Sequence, residues 1–357
     1  MTLVTTLALV AGFVLLIAGG ELLVRGGSNL GRALGLSPLV VGLTIVAFAT
    51  SAPELAVSLD ATLAGSPGLA VGNVVGSNIT NVLLVLGLAA VVLPVVVRTQ
   101  LVRVDVPVMV ALSVLALLLM LDGSVDRLDG VVLVALLVGY IAWTVVLGRR
   151  AGVEEPDAGA PAPTRSRPLV DVVLVVAGVA LLVLGARLLV SAATDVAAAF
   201  GVSDLVIGLT VVAIGTSLPE LATSVIAALR GEREMAIGNV VGSNIFNLTA
   251  VLGLTAAVAP GGVPVEAAAL RFDVPVMVAV AVALLPVVFT GFTIARWEAG
   301  VFLAYYGAYV AYLLLAASDH AALSAFSGVM LGFVVPITAL TLAVLVTYEL
   351  RRHLQRR

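Results

Sequence analysis

Gly42-Leu-Thr-Ile-Val-Ala-Phe-Ala-Thr-Ser-Ala-Pro-Glu54 reads as a membrane span up to Thr50, where Thr50, Ser51, Pro53 and Glu54 interrupt the apolar run. Proline donates no backbone hydrogen bond, so Pro53 is expected to break the helix and free the Ala49 carbonyl. Inside a bilayer such a break survives only where the backbone is buried in protein or lines a wet cavity. Glu54 lies one turn beyond Thr50 and three residues after Ser51, so the three share a helix face. A carboxylate, two hydroxyls and a released carbonyl make a set of oxygens suited to a hard cation.

The stretch occurs twice. Gly208-Leu-Thr-Val-Val-Ala-Ile-Gly-Thr-Ser-Leu-Pro-Glu220 repeats it 166 residues later, and residues 38–88 laid over 204–254 without gaps share 31 identities in 51 positions. A second block, Arg103-Val-Asp-Val-Pro-Val-Met-Val-Ala111, matches Arg271-Phe-Asp-Val-Pro-Val-Met-Val-Ala279. Leu22-Leu-Val24 and Leu188-Leu-Val190 extend the repeat more weakly toward the N-terminal side of each half.

The surrounding composition sets the class. The chain is 61% hydrophobic and 11% charged, against roughly 25% charged in soluble domains. An all-α polytopic membrane protein follows, since closed barrels show short alternating segments instead. Spans are expected near 3–24, 38–63, 69–94, 103–121 and 129–148, then 169–192, 204–229, 235–259, 271–290 and 297–317, with an eleventh near 325–347. The first apolar segment has no basic flank before it and reads as a span, not a cleaved leader. Thus 1–148 is a first repeat and 149–168 a flexible polar linker. Residues 169–317 form a second repeat, and 318–357 an extra helix with a basic tail.

An odd number of spans per repeat inserts the second copy upside-down, the architecture of secondary transporters with a midplane site. All 18 basic residues are arginine, and 15 fall on the side of the linker and C-terminus; Arg127, Arg187 and Arg271 do not. That bias makes the linker and tail cytoplasmic and the N-terminus external, in the plasma membrane.

There are no cysteines and two histidines, His320 and His353, so thiolate and histidine chemistry have almost no residues to use. No nucleophile–base pairing or His-Glu-x-x-His motif appears, so no enzyme is expected. No cofactor, nucleic acid or obligate protein partner is implied; inorganic cations and the lipid bilayer are the expected partners.

After each broken helix comes Gly72-Asn-Val-Val-Gly-Ser-Asn-Ile-Thr-Asn81 or Gly238-Asn-Val-Val-Gly-Ser-Asn-Ile-Phe-Asn247. Ser77 and Asn81, like Ser243 and Asn247, are four apart and share a face. Gly72, Gly76 and their counterparts are expected to form a close-packed helix seam. A mid-membrane glutamate costs about 3 kcal/mol or more unless it has a partner or a task. No arginine lies in either span to neutralise Glu54 or Glu220, whereas one divalent cation would balance both. Asp60 reads as a helix-end or vestibule charge, Glu21 and Arg25 as a pair within the first span, and Asp105 and Asp273 as interfacial anchors beside Arg103 and Arg271. Pro107 and Pro275 read as helix-start or kink residues, and Trp297 and Tyr312 as members of an aromatic belt.

At these motifs the chain resembles the sodium/calcium exchanger family of the cation/calcium antiporter superfamily, in its compact prokaryotic form. The resemblance implies ten helices in two inverted five-helix repeats, with an eleventh helix outside that core, and four cation sites at the centre. It implies Glu54 and Glu220 as shared acidic ligands of calcium and sodium, and Thr50 and Thr216 as backbone and hydroxyl ligands. Ala47 and Ala213 would offer carbonyls; Ser51, Ser217, Ser77 and Ser243 would complete the sodium sites; Asn81 and Asn247 would face the middle. Family members often carry an aspartate where this chain has Asn247. The expected activity is exchange of Ca2+ for Na+, directed to calcium extrusion. Proton-coupled exchange of calcium or another divalent cation is the alternative, and a passive cation channel a more distant one.

Overall fold

The computed structural model describes residues 3–151, 167–202 and 204–355. Most of the 149–168 linker and the end of the basic tail therefore lie outside the described residues, as do the side chains of Ala213 and His353. The spans are α1 (Leu3–Ala33), α2 (Pro38–Leu63), α3 (Gly68–Val92), α4 (Leu101–Met120), α5 (Arg127–Gly148), α6 (Pro168–Ala199), α8 (Arg233–Val258), α9 (Ala267–Phe289), α10 (Arg296–Ala317) and α11 (Ala322–Arg351). Between α6 and α8 lies α7, in two segments, 204–216 and Leu218–Leu229. This is a multi-pass, all-helical membrane protein.

Inversion of the repeats is visible directly in α1 and α6, which correspond in the duplication. Gly12, Gly19 and Gly26 stand seven apart in α1, as do Gly178 and Gly185 in α6, and the helices run antiparallel with Gly19 on Gly178 and Gly12 on Gly185. A Cβ on Gly19 would lie 2.8 Å from the Gly178 carbonyl oxygen, and one on Gly185 would lie 2.8 Å from that of Gly12. Corresponding helices that run antiparallel belong to oppositely inserted copies. At 31 and 32 residues these helices outrun the expected 3–24 and 169–192, and at about 1.5 Å per residue they exceed the bilayer core and must tilt.

Two short ribbons tie the halves together. β1 (Val95–Val96) pairs antiparallel with β4 (Thr293–Ile294), and β2 (Ser124–Val125) with β3 (Val263–Pro264). Each joins a loop of one half to a loop of the other, and the pseudo-twofold exchanges the two ribbons.

The expected break at Pro53 is absent: the helical segment Ala47–Leu63 continues through it. Its counterpart does break, at Ser217, whose φ of −91° and ψ of 5° leave the helical region. Wide π-type turns occur instead in all four central helices, at Gly42–Val46, Asn81–Leu86, Gly208–Val212 and Asn247–Val251. Such turns shift the backbone register and re-aim side chains, and they gather at functional sites.

Asp105 and Asp273 are not interfacial anchors. Asp105 is fully buried and accepts from the Tyr140 hydroxyl at 3.1 Å and from Gln100 at 3.3 Å. Asp273 accepts from Tyr309 at 2.9 Å. Pro107 and Pro275 open the regular α-helical stretches Val106–Met120 and Asp273–Phe289, which lie within α4 and α9 rather than at their starts. Trp297 is exposed, while Tyr312 stacks on Phe272 at 3.7 Å. The outer helix α11 buries none of its apolar span and is held to α10 by Tyr305, which bonds Thr338 at 2.6 Å.

Candidate cation site

Helices α2, α3, α7 and α8 meet around the pseudo-twofold, and their asparagines make the joint. The Asn78 side-chain amide donates to the Asn244 carbonyl at 3.3 Å, and Asn244 returns the bond to Asn78 at 3.3 Å. Asn81 Nδ2 donates to Asn244 Oδ1 at 3.1 Å, and Asn247 Nδ2 to Asn78 Oδ1 at 3.1 Å. With both Nδ2 groups committed across the interface, Oδ1 of Asn81 and of Asn247 is left as a buried acceptor with no donor.

A second asparagine pair supports the glutamates. Asn73 Nδ2 donates to the Glu54 carbonyl at 3.2 Å and to Ser58 at 3.0 Å; Asn239 does the same for Glu220 at 3.5 Å and Ser224 at 3.0 Å. Asn73, Asn78, Asn239 and Asn244 were not among the expected site residues. The signal for them was the duplicated Gly-Asn-Val-Val-Gly-Ser-Asn itself, in which the first and last asparagines recur as faithfully as the serine.

Glu54 and Glu220 are both buried. None of their four carboxylate oxygens makes a hydrogen bond of normal geometry. The hydroxyls of Ser51, Ser77 and Ser217 are likewise buried without a partner. Unsatisfied acceptors of this kind are costly in a low-dielectric interior. Seven side chains in that condition on four neighbouring helices form a coherent oxygen-rich set, which fits a hard cation.

Thr50 and Ser243 face each other across the two halves. The Thr50 hydroxyl lies 3.1 Å from Asn239 Oδ1 and 3.2 Å from Ser243 Oγ, and so bridges the two halves. The Ala47 carbonyl, an expected ligand, is 3.4 Å from the same hydroxyl. Thr216 occupies the last turn before the break in α7, and Ala213 lies in the same short helical segment.

The halves are not equally closed. Gly42 of α2 packs directly on α8, where a Cβ would lie 2.5 Å from the Met235 carbonyl oxygen, and Gly242 would meet the Ala47 Cβ at 2.7 Å. Among the described residues nothing lies within 4 Å of a Cβ on their counterparts Gly208 and Gly76, or on Gly72. The Gly238–Gly242 copy of the expected seam is packed, whereas Gly72 is exposed and Gly76 half-buried. The closed end is the one where α5 ends and α6 begins, called here the linker side; the open end is the far side.

A family model described as sodium/calcium exchanger protein matches residues 4–146 and 170–315. The chain belongs to the sodium/calcium exchanger family. It is 43% identical over 288 residues to a putative antiporter, CaxA, of Alkalimonas amylolytica, covering 79% of this chain and 89% of that protein. It is 33% identical over 349 residues to the sodium/calcium exchanger MaX1 of Methanosarcina acetivorans, covering 88% and 99%. Among solved structures, the sodium-calcium exchanger NCX_Mj soaked with zero Na+ and Ca2+ aligns with a TM-score of 0.74 at 33% identity, over 88% of this chain and 100% of that one. The protein is therefore an antiporter of the exchanger fold and not an enzyme.

Proposed function

We propose that this antiporter exchanges Ca2+ for Na+ by alternating access, in the direction of calcium extrusion. The observation that carries the reading is the set of buried acceptors without donors: both carboxylates, Ser51, Ser77, Ser217, Asn81 and Asn247. Two carboxylates supply the charge to balance one Ca2+, and neutral oxygens complete the six to eight ligands that calcium takes. Na+ is close to Ca2+ in size and uses the same oxygens, so the two ions compete for one region. Competition at a shared site couples their movements.

The ligand set is proposed as Glu54, Glu220, Thr50, Thr216, Ser51, Ser217, Ser77, Ser243, Asn81, Asn247 and the Ala47 and Ala213 carbonyls. Residues 1–148 and 169–317 are proposed as the two exchanging halves, with 318–357 peripheral to transport. The arginine bias supports a cytoplasmic linker side and an external far side in the plasma membrane. On that orientation the conformation is open outward.

Proton coupling is the second reading. The neutral Asn247 favours it, since it leaves two carboxylates as the acidic ligands, and two protons on them would replace the charge of a departing Ca2+. Purified protein in liposomes, supplied with external calcium and given an imposed outward sodium or proton gradient, separates the two. Calcium accumulation driven by sodium supports the proposal; accumulation driven by protons alone replaces it. Equilibration without accumulation would indicate a channel.

A further inference from the structure

We propose that Asp60 and Arg187 form the second of two ion-pair latches, closing the far side as Glu21 and Arg230 close the linker side in this conformation. The inference rests on the alternating-access exchange proposed above and names the contacts that would hold each of its end states.

On the linker side, Glu21 of α1 pairs with Arg230 at the end of α7 and with Arg25 on its own helix. The residue before it, Gly20, lies against Ile226 of α7, so close that a Cβ would sit 2.5 Å from the Ile226 Cδ1. The 166-residue offset of the repeat converts Gly20 to Ala186, Glu21 to Arg187, Ile226 to Asp60 and Arg230 to Ala64, so the far-side acid sits one helical turn before the place of the linker-side base. In an inverted-repeat transporter the opposite end state is reached when the two halves exchange conformations. That exchange seats Ala186 against Asp60 and places Arg187 on the next residue. The signs are reversed between the ends: acid on α1 and base on α7 at one, base on α6 and acid on α2 at the other.

In the present conformation Asp60 and Arg187 are both exposed, and among the described residues neither side chain makes a hydrogen bond or an ion pair. While α1 lies along the second segment of α7, α6 scarcely touches the corresponding part of α2. The glycine contacts between α1 and α6 make those helices one body, because backbone packed on backbone leaves no room for independent sliding. In that body Glu21 is level with residue 176, so the two latch positions are separated by eleven residues, or about 16 Å along the axis. One displacement of the pair opens one latch and closes the other.

The chain contains no cysteine, so paired cysteines report on proximity without background. A disulfide requires Cα atoms within about 7 Å. The variant Asp60→Cys with Arg187→Cys is oxidised in membranes in the presence of sodium, of calcium, and of neither, alongside Glu21→Cys with Arg230→Cys. The expected result is a 60–187 disulfide in at least one ionic condition, with the yield of the 21–230 disulfide lowest there. Calcium exchange should fall at least tenfold on 60–187 oxidation and recover on reduction. As a second measurement, Asp60→Arg should slow exchange by about fivefold, the scale of one partly exposed ion pair, and adding Arg187→Asp should restore it to within twofold. Absence of the 60–187 disulfide in every condition, from protein that exchanges calcium before oxidation, overturns the latch and leaves exchange standing. A disulfide that forms in protein unable to exchange calcium supports the latch and removes the exchange reading. Equal slowing in the single and double charge variants counts against the pair.

Discussion

Removing the Asn239 side chain should damage the protein more than removing that of its counterpart Asn73, although the two occupy equivalent places in the repeat. Asn239 is fully buried and accepts from Thr50 at 3.1 Å while donating to Ser224 at 3.0 Å and to the Glu220 carbonyl at 3.5 Å. Asn73 is part-buried and, among the described residues, makes two donor contacts, to Glu54 and Ser58. In Asn239→Ala, Thr50 can turn to Ser243, 3.2 Å away, so its loss is partial. Ser224 and the Glu220 carbonyl lose this donor in a dry interior, at about 1–3 kcal/mol per buried group. A total of about 2–6 kcal/mol follows. In Asn73→Ala water can reach the exposed side, and about 1–2 kcal/mol is expected. The assay is thermal unfolding of the purified protein in detergent with calcium removed by a chelator, followed by calcium titration. Asn239→Ala should unfold several degrees below Asn73→Ala, at about 2 °C per kcal/mol. It should also bind calcium more weakly, because Asn239 connects Thr50 to the backbone of Glu220. Equal destabilisation by the two substitutions would refute the claim that the closed half carries the tighter network.

Glu54→Gln and Glu220→Gln should each abolish calcium transport while leaving a folded, membrane-inserted protein; wild-type calcium flux in both would remove the ligand assignment. Gly178→Leu should destabilise the protein by about 3 kcal/mol, since even a Cβ there would lie 2.7 Å from the Leu23 backbone nitrogen. Gly300→Leu, where nothing lies within 4 Å, serves as the control. Tyr140→Phe should cost about 1–3 kcal/mol by stripping buried Asp105 of a donor; restoration of stability by Asp105→Asn in the same protein would confirm the cause. Deletion from residue 318 onward should leave calcium exchange intact, measured in vesicles, because α11 touches the core only at its margin.

The duplicated blocks made the inverted architecture readable in advance, because an odd number of spans per copy leaves no other arrangement. Glu54 and Glu220 were readable for a related reason: a lone acid in an apolar span needs compensation, and the repeat supplies a second acid but no base. What local pattern could not reveal was anything that depends on how the halves meet. Asp105 lies near a span end and looked interfacial, yet its partner Tyr140 is 35 residues away on another helix. Pro53 looked like a break, but the helix continues, and the nearby Glu54 carbonyl is supplied with a donor by Asn73 of the neighbouring α3. Its counterpart breaks at Ser217 although the motif is nearly identical. The two copies thus hold two backbone forms, and beside the break they differ in Ala49 and Ala52 against Gly215 and Leu218. Gly72 and Gly76 differ likewise from their counterparts: among the described residues nothing lies within 4 Å of a Cβ on either, while Gly238 and Gly242 are packed.

The most direct test is calcium binding to the purified protein, counted with radioactive calcium for the wild type, Glu54→Gln and Glu220→Gln. One ion held jointly by both acids predicts that either substitution alone removes the same high-affinity calcium. Retention of full-affinity binding by either single variant would contradict a site shared across the two halves.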